Sequence, residues 1–406
     1  MPRVAKLICV EGDGNHNKFY DMTENADGSI TSVWGRVDVT STTTHYPVGK
    51  KKWETLLKSK IRKGYFDVTS LRSATTTKVD FSDLGNTPVA ALVKELQGYA
   101  NKSVSENYTI SAEAVTPQMI DAAQLIMNDL VPLITIGQST KEVNDKFLEM
   151  YRIIPRKMKN VRFHILDTKT ITKENLADAQ KLLANEQATL DVMQGQVGVS
   201  TAQKKNDPKK SLTILDAVGI SIEIPTGEEV EKIRKLLGQN QHQFKKAFRV
   251  INKRTQEIFD RCLAGASNKS SVGFWHGSRN ENWWSIMGSG LILRPTNAVL
   301  SGSMYGKGLY AADKAQKSIG YTSLRGSYWA GGNSSKGILA IFEFHTGNQY
   351  HAKRYEGWMS NFTYHKLREL GNYDSVFAHG GYDLRNNEFI VYKEDQTTIK
   401  YLVEIG

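Results

Sequence analysis

The sequence predicts a multidomain α+β protein: a small β-rich module, an α-helical bundle and a larger, mostly antiparallel α+β domain. Three observations predict it. Residues 1–75 hold short strand-like runs separated by turn residues. Residues 113–200 hold apolar stripes at helical spacing behind Ser, Thr and Pro caps. From residue 205 to 406, short β-rich runs alternate with glycine-rich loops. The chain has 406 residues, which suits two or three domains.

In order along the chain, Val4 to Val10 and Asn17 to Met22 read as strands, and Asp27-Gly28 marks a hairpin turn. Ser29 to Val39 is a third strand and contains Trp34-Gly35-Arg36-Val37. Trp53, Leu56, Leu57 and Ile61 then repeat at helical spacing, so a helix is expected over Lys51 to Lys63, with Gly64 at its C-cap. Residues 76–112, rich in Ser, Thr, Asn and Lys, read as a linker. Thr116-Pro117 opens a helix with Ile120, Ala123, Met127 and Leu130 on one face. Ser139-Thr140 opens the next, with Val143, Phe147 and Met150 inward, ended by Arg152-Ile153-Ile154-Pro155. Thr172 caps a third with Leu176, Ala179, Leu183 and Leu190 inward. The polar, basic segment from Gly195 to Lys210 reads as a boundary. Strands are expected near 221–224, 247–251, 273–276, 308–311, 337–344 and 388–392.

Composition narrows the function. There are 53 Lys+Arg against 42 Asp+Glu, a formal charge of +11, which favours a polyanionic partner. The surplus is dispersed: residues 1–80 hold 13 basic and 9 acidic residues. Two basic clusters stand out, Lys50-Lys51-Lys52 with the helix that follows, and Lys204 to Lys210. The two cysteines, Cys9 and Cys262, exclude a disulfide framework and a four-cysteine zinc ribbon, so a reducing, intracellular setting is expected. No apolar run is long enough to span a bilayer, so no membrane partner is expected. There is no P-loop, no dinucleotide-binding glycine fingerprint and no HExxH.

Three segments of the last domain stand apart: Phe274-Trp275-His276-Gly277-Ser278-Arg279; Gly306 to Asp313 running into Lys317-Ser318-Ile319-Gly320-Tyr321; and Asn387-Glu388-Phe389-Ile390-Val391-Tyr392. Taken singly, a histidine after a strand or a tyrosine in one is ordinarily core. Together, in this order and with these glycine flanks, the segments resemble the catalytic domain of the poly(ADP-ribose) polymerase family, the diphtheria-toxin-like ADP-ribosyltransferases. His276, Tyr310 and Glu388 fall on that family's His-Tyr-Glu triad. Trp34-Gly35-Arg36-Val37 lies where DNA-dependent members carry a WGR module, and Asn144 through Pro155 resembles their regulatory helical domain. The resemblance implies a WGR DNA-binding module at 1–75, a linker at 76–112, a helical regulatory domain at 113–200 and a catalytic domain at 205–406, without zinc fingers.

The resemblance implies NAD+ as substrate and no metal. A carboxylate near the ribose, Glu388, would stabilise the oxocarbenium-like charge that develops as the nicotinamide bond breaks, and would orient the acceptor hydroxyl of a growing chain. Gly277 through its backbone and Ser318 through its hydroxyl would hold the carboxamide; Tyr321 and Tyr310 would stack on the ring; His276 would bond a ribose hydroxyl. Ser278 and Asn282 match positions near the adenosine half, and Lys317 one near acceptor or cofactor. Trp34, Arg36, Lys51 and Lys52 would contact DNA ends or nicks, with Arg36 binding a backbone phosphate. Acceptor proteins, the chain itself and an accessory partner completing the acceptor site are expected too. In a eukaryote the nucleus is the expected site, otherwise the cytoplasm or nucleoid. The chain departs from the pattern at Asn386 and Phe389, where polymerising members carry tyrosines. It departs again at Ile292, often an arginine, although Arg294 is close by. A mono-ADP-ribosyltransferase and a non-enzymatic DNA-end scaffold are the rival readings.

Overall fold

β1 (Val4–Glu11), β2 (His16–Glu24), β3 (Ile30–Arg36) and β4 (Ser41–Tyr46) pair antiparallel in sequence order, and the two-residue β5 (Phe66–Asp67) joins the free side of β1. This computed structural model describes residues 3–72, 81–108, 115–205, 213–294 and 304–406. β4 was not expected. Its Ser-Thr-Thr-Thr-His-Tyr sequence has no apolar alternation and is largely exposed at the sheet edge, where β-branched threonines suffice. α1 (Trp53–Ile61) covers one face of the sheet, burying Trp53 and Leu56 against Ala5, Leu7, Tyr20 and Met22. Lys51 and Lys52 therefore precede the helix rather than lie in it, and Gly64 at φ +82° turns the chain after it.

The expectation of a linker over 76–112 fails at its centre. Pro88–Asn107 is a 20-residue helix, α2, whose first free amides are met by Thr87 Oγ1 accepting from Ala90 N at 3.1 Å. Leu92, Val93 and Leu96 are buried in the core of the last domain. The stripe is present in the sequence but is flanked on both sides by Ser/Thr/Lys-rich chain. Those flanks at 73–80 and 109–114 lie outside the described residues. Likewise α5 (Leu176–Lys205) runs through much of the expected boundary from Gly195, whose remainder at 206–210 is also outside the described residues. α3 (Pro117–Leu133) and α4 (Thr140–Ile153) begin at the expected caps: Thr116 Oγ1 accepts from Met119 N, and Ser139 Oγ from Lys141 N.

Two compact units result, Met1–Lys78 with Asn101–Val197, and Val79–Ala100 with Gly198–Gly406, where three domains had been expected. In the first, a buried polar network joins three segments. Glu186, fully buried, accepts from Arg156 Nη1 at 2.8 Å and from the Tyr108 hydroxyl at 2.5 Å. Arg156 Nε donates to His164 Nδ1 at 3.0 Å.

The second unit is mixed α+β with two sheets. β6 (Ile220–Glu223), β7 (Phe244–Asn252), β8 (Ser271–Gly277), β10 (Gly337–His345) and β14 (Thr397–Ile405) form one antiparallel sheet in the order β6-β7-β14-β10-β8. β9 (Leu309–Ala311), β11 (Gln349–Ala352), β12 (Ser375–Ala378) and β13 (Glu388–Val391) form the other, ordered β11-β12-β13-β9, with β11 and β12 parallel. A backbone bridge fastens the sheets: Trp275 N donates to Ala312 O at 2.8 Å, and Ala312 N to Trp275 O at 2.9 Å. Between them lies an aromatic seam, with Phe274 stacked on Phe389 at a 4.4 Å centroid distance. No helix among the described residues is long and apolar enough to cross a membrane.

Candidate active site

Strand pairing brings the three triad positions together. His276 is the penultimate residue of β8, one past the bridged Trp275. Tyr310 is central in β9 and pairs with Ile390 of β13. Glu388 opens β13, two residues before Ile390 and thus on the same face as Tyr310. The alternation is visible in the packing: Phe389, Val391, Leu309 and Ala311 enter the main core, while Ile390 and Tyr310 pack in the smaller cluster behind it. Phe389, noted as a departure from the family tyrosine, is therefore a core ring and does not face the Glu388 side.

His276 has a defined tautomer. Its Nδ1 lies 3.0 Å from the carbonyl oxygen of Tyr310, which can only accept, so Nδ1 carries the proton. Burial lowers the ring's pKa below the usual histidine value, against a smaller raising effect of that hydrogen bond. The ring packs edge-on to Trp283 and Phe342, at 6.2 and 5.9 Å. A neutral ring protonated at Nδ1 leaves Nε2 as an acceptor. Tyr310 is tied by its hydroxyl, which donates to Gly306 O at 2.8 Å and accepts from Tyr305 N at 3.3 Å. Gly306, at φ +78°, has no room for a side chain: a Cβ there would lie 2.3 Å from Phe362 O.

The short helix α9 (Ala315–Ile319; α6, α7 and α8 being Gly227–Leu237, Lys253–Gly265 and Trp283–Ser289) delivers the next group. Ser318 Oγ donates to Trp275 O at 3.0 Å, which presses α9 against the end of β8. The approach is so close that a Cβ on Gly277 would lie 1.9 Å from Ser318 O. One position earlier, Lys317 Nζ forms an ion pair with Glu388 Oε1, both side chains largely covered. Tyr321, one turn on, is 40% exposed. Its hydroxyl pKa is pushed up by burial and then by the charge of Glu388, while its ring lies parallel to Trp329 at 6.1 Å. Asn282 Nδ2 donates to Ser278 Oγ at 3.0 Å, so these two form a pair of their own. Asn387 braces Glu388 from the preceding position: its Nδ2 donates to Asp313 Oδ2 at 2.7 Å and its Oδ1 accepts from Gly380 N at 2.8 Å.

Sequence reasoning missed the Lys317–Glu388 pairing, the Asn387 brace and Trp329. Asn387 carried a signal, as a polar residue fixed at the start of an apolar strand; Trp329 carried none, lying in a loop of small polar residues.

The nucleic-acid candidates lie in the first unit. Trp34 is 41% exposed on β3, with Nε1 donating to Thr44 Oγ1 at 3.1 Å. Lys51 and Lys52 are exposed. Arg36 differs from expectation: its guanidinium is committed to Asn15 O (2.6 Å), Asn15 Oδ1 (3.1 Å), Met158 O (3.2 Å) and Lys159 O (2.9 Å). It braces a turn and a loop of its own unit instead of presenting a free fork to a phosphate.

Residues 227–362 match the poly(ADP-ribose) polymerase catalytic domain. A protein of Invertebrate iridescent virus 6 described as poly [ADP-ribose] polymerase-like, 100L, is 33% identical over 186 residues, spanning 44% of this chain and 96% of that protein. The chain belongs to the poly(ADP-ribose) polymerase family. Within this family it is an ADP-ribosyltransferase with NAD+ as substrate. Uncharacterized protein 101L of the same virus is 29% identical over 203 residues, covering 50% of this chain and 81% of the viral protein. Human poly [ADP-ribose] polymerase 2 is 29% identical over 157 residues, covering 32% of this chain and 26% of the human one. The domain match includes His276, Tyr310, Lys317 and Ser318 but stops before Glu388, which the β9–β13 pairing sets on the same face as Tyr310.

Proposed function

We propose that the chain is a DNA-break-activated poly(ADP-ribose) polymerase. It transfers ADP-ribose from NAD+ to protein side chains, its own included, releases nicotinamide and extends the product. The observation that carries the reading is the convergence of His276, Tyr310 and Glu388 at the junction of β8, β9 and β13, with His276 held neutral.

The roles of His276 and Ser318 follow from their hydrogen bonds, and the others from the family resemblance. His276 Nε2 accepts from a ribose hydroxyl. The Gly277 backbone grips the carboxamide. Ser318 has given its hydroxyl proton to Trp275 O, so its oxygen receives a carboxamide N–H. Tyr321 and Tyr310 enclose the nicotinamide ring. Ser278 and Asn282 serve the adenosine half. Glu388 meets the ribose and the positive charge that develops as nicotinamide leaves, and Lys317 holds that carboxylate in place until substrate competes for it. In the architecture we assign, residues 1–75 form the WGR module, 113–200 the helical regulatory domain and 205–406 the catalytic domain. Trp34, Lys51 and Lys52 meet the DNA end, and Arg36 keeps the module's turn in shape. DNA then shifts the helical domain between a state that restrains NAD+ access and one that does not. An accessory protein completes the acceptor site.

Asn386, in place of a tyrosine on the acceptor side, favours the second reading, attachment of single ADP-ribose units. The test is nicotinamide release and product sizing with labelled NAD+, with and without nicked or blunt duplex DNA. We expect faster release with DNA and a ladder of products. Equal rates would remove DNA control, a single-unit product would remove elongation, and no turnover would leave a DNA-end scaffold.

A further inference from the structure

We propose that Cys9, Glu11 and His16 form a binding site for a divalent cation of the zinc type, in the β1–β2 hairpin and apart from the transferase site. One donor atom from each, a thiol sulfur, a carboxylate oxygen and an imidazole nitrogen, lies within 4.8 Å of the other two. It is the one such trio among the described residues. The backbone builds it. Cys9 and Glu11 are two apart on β1, so their side chains share a face, and His16 is the cross-strand partner of Glu11 at the mouth of the turn. His16 Nδ1 already lies 2.9 Å from Glu11 Oε2. Zinc bonded at about 2.0–2.3 Å in a tetrahedron sets its donors about 3.3–3.8 Å apart, so the trio needs little rearrangement.

Two further features fit a bound ion. Gly64 borders the donors: a Cβ there would lie 2.8 Å from Glu11 Oε1 and 3.9 Å from Cys9 Sγ, so glycine keeps that side clear. Cys9 is 1% exposed whereas Glu11 and His16 are half-exposed, giving a protein-lined floor and an open side for entry and a water as fourth ligand. Sulfur with imidazole and carboxylate selects borderline ions such as zinc over magnesium or calcium. The site would stiffen the turn whose Asn15 carries two of the Arg36 hydrogen bonds and accepts from Val161 N at 2.9 Å, so the cation acts on the frame that holds Arg36 two residues from Trp34.

The experiment titrates cobalt(II), then zinc as competitor, into the full chain and follows the thiolate-to-cobalt charge-transfer band and the melting temperature. We expect a stoichiometric band, displaced by zinc, with a rise in melting temperature. Cys262→Ser keeps the band and Cys9→Ser loses it. His16→Ala, at a half-exposed position that leaves the core intact, weakens cobalt binding by about 10- to 100-fold or more. A missing band, or one of equal affinity in His16→Ala, overturns the site. DNA-independent nicotinamide release is unchanged in His16→Ala, so failure here is separate from failure of the transferase reading.

Discussion

Gly277 and Glu388 are the residues at which substitution is most informative. At Gly277 a methyl group meets the Ser318 carbonyl oxygen, a backbone atom with no rotamer to yield. Gly277→Ala is expected to cost about 1–3 kcal/mol of stability and to abolish binding of a benzamide-type nicotinamide mimic, read by melting temperature and calorimetry. Glu388→Gln keeps size and hydrogen-bonding capacity but loses the charge. Elongation should fall by about 10²–10³-fold while some NAD+ cleavage persists, measured by product length and nicotinamide release. Long polymer from that variant would end the assigned role. The triad and the carboxamide-side residues were legible because their types and flanks are local. The tautomer of His276 was not, since it depends on a carbonyl 34 residues away. Nor was the commitment of Arg36, whose acceptors Met158 and Lys159 lie in another segment. Lys317 was named without its partner because the ion pair spans 71 residues.

Among the elements, the segments around Tyr108, Arg156, His164 and Glu186 carry an acid-sensitive contact. His164 Nδ1 accepts from Arg156, so the ring is neutral; burial first, then the Arg156 charge, lower its pKa to about 4. Its folded pKa lies below the unfolded one, so as pH falls below 6.5 the unfolded chain takes the proton first and the native unit loses stability, by at most about 3 kcal/mol near pH 4. Burial pushes the Glu186 carboxyl up, which acts in the opposite sense. The readout is therefore the difference in urea midpoint between wild type and His164→Asn, expected to shrink from pH 7 to pH 4. A constant difference would reject this account. At this scale helices with caps were legible, as at Thr116 and Ser139. β4, β5, β11, β12 and β14 were not. β4 is a polar edge strand, β5, β11 and β12 span only two to four residues, and β14 has a burial pattern set by partners far away in sequence. α2 was hidden because composition was averaged over a window wider than its apolar stripe.

For the whole molecule, the +11 charge is a weak guide and the position of a few cations a better one. If Lys51 and Lys52 each neutralise one phosphate, the double variant Lys51→Ala/Lys52→Ala should lower the slope of log K against log salt by about 2 on nicked duplex, with binding weakened regardless of sequence. An unchanged slope would remove both from the interface. Composition had bounded the domain number and excluded a disulfide framework. It could not show that residues 79–100 belong with the last domain, because that assignment rests on Leu92, Val93 and Leu96 meeting a core made from residues more than a hundred positions later.

β14 lies between β7 and β10, yet of the strands in its sheet it is the last to be synthesised. Birth order and assembly order are thus opposed. A ribosome that has made His276, Tyr310 and Glu388 still holds the strand that joins the two halves of the sheet beneath them. Until residues 397–405 emerge, β8 and β10 have no strand pairing to β6 and β7, and the long-range pairing that completes the sheet is also the slow kind. The sheet that carries His276 is thus closed only after every strand bearing a triad residue has been made, an ordering that comes from topology alone.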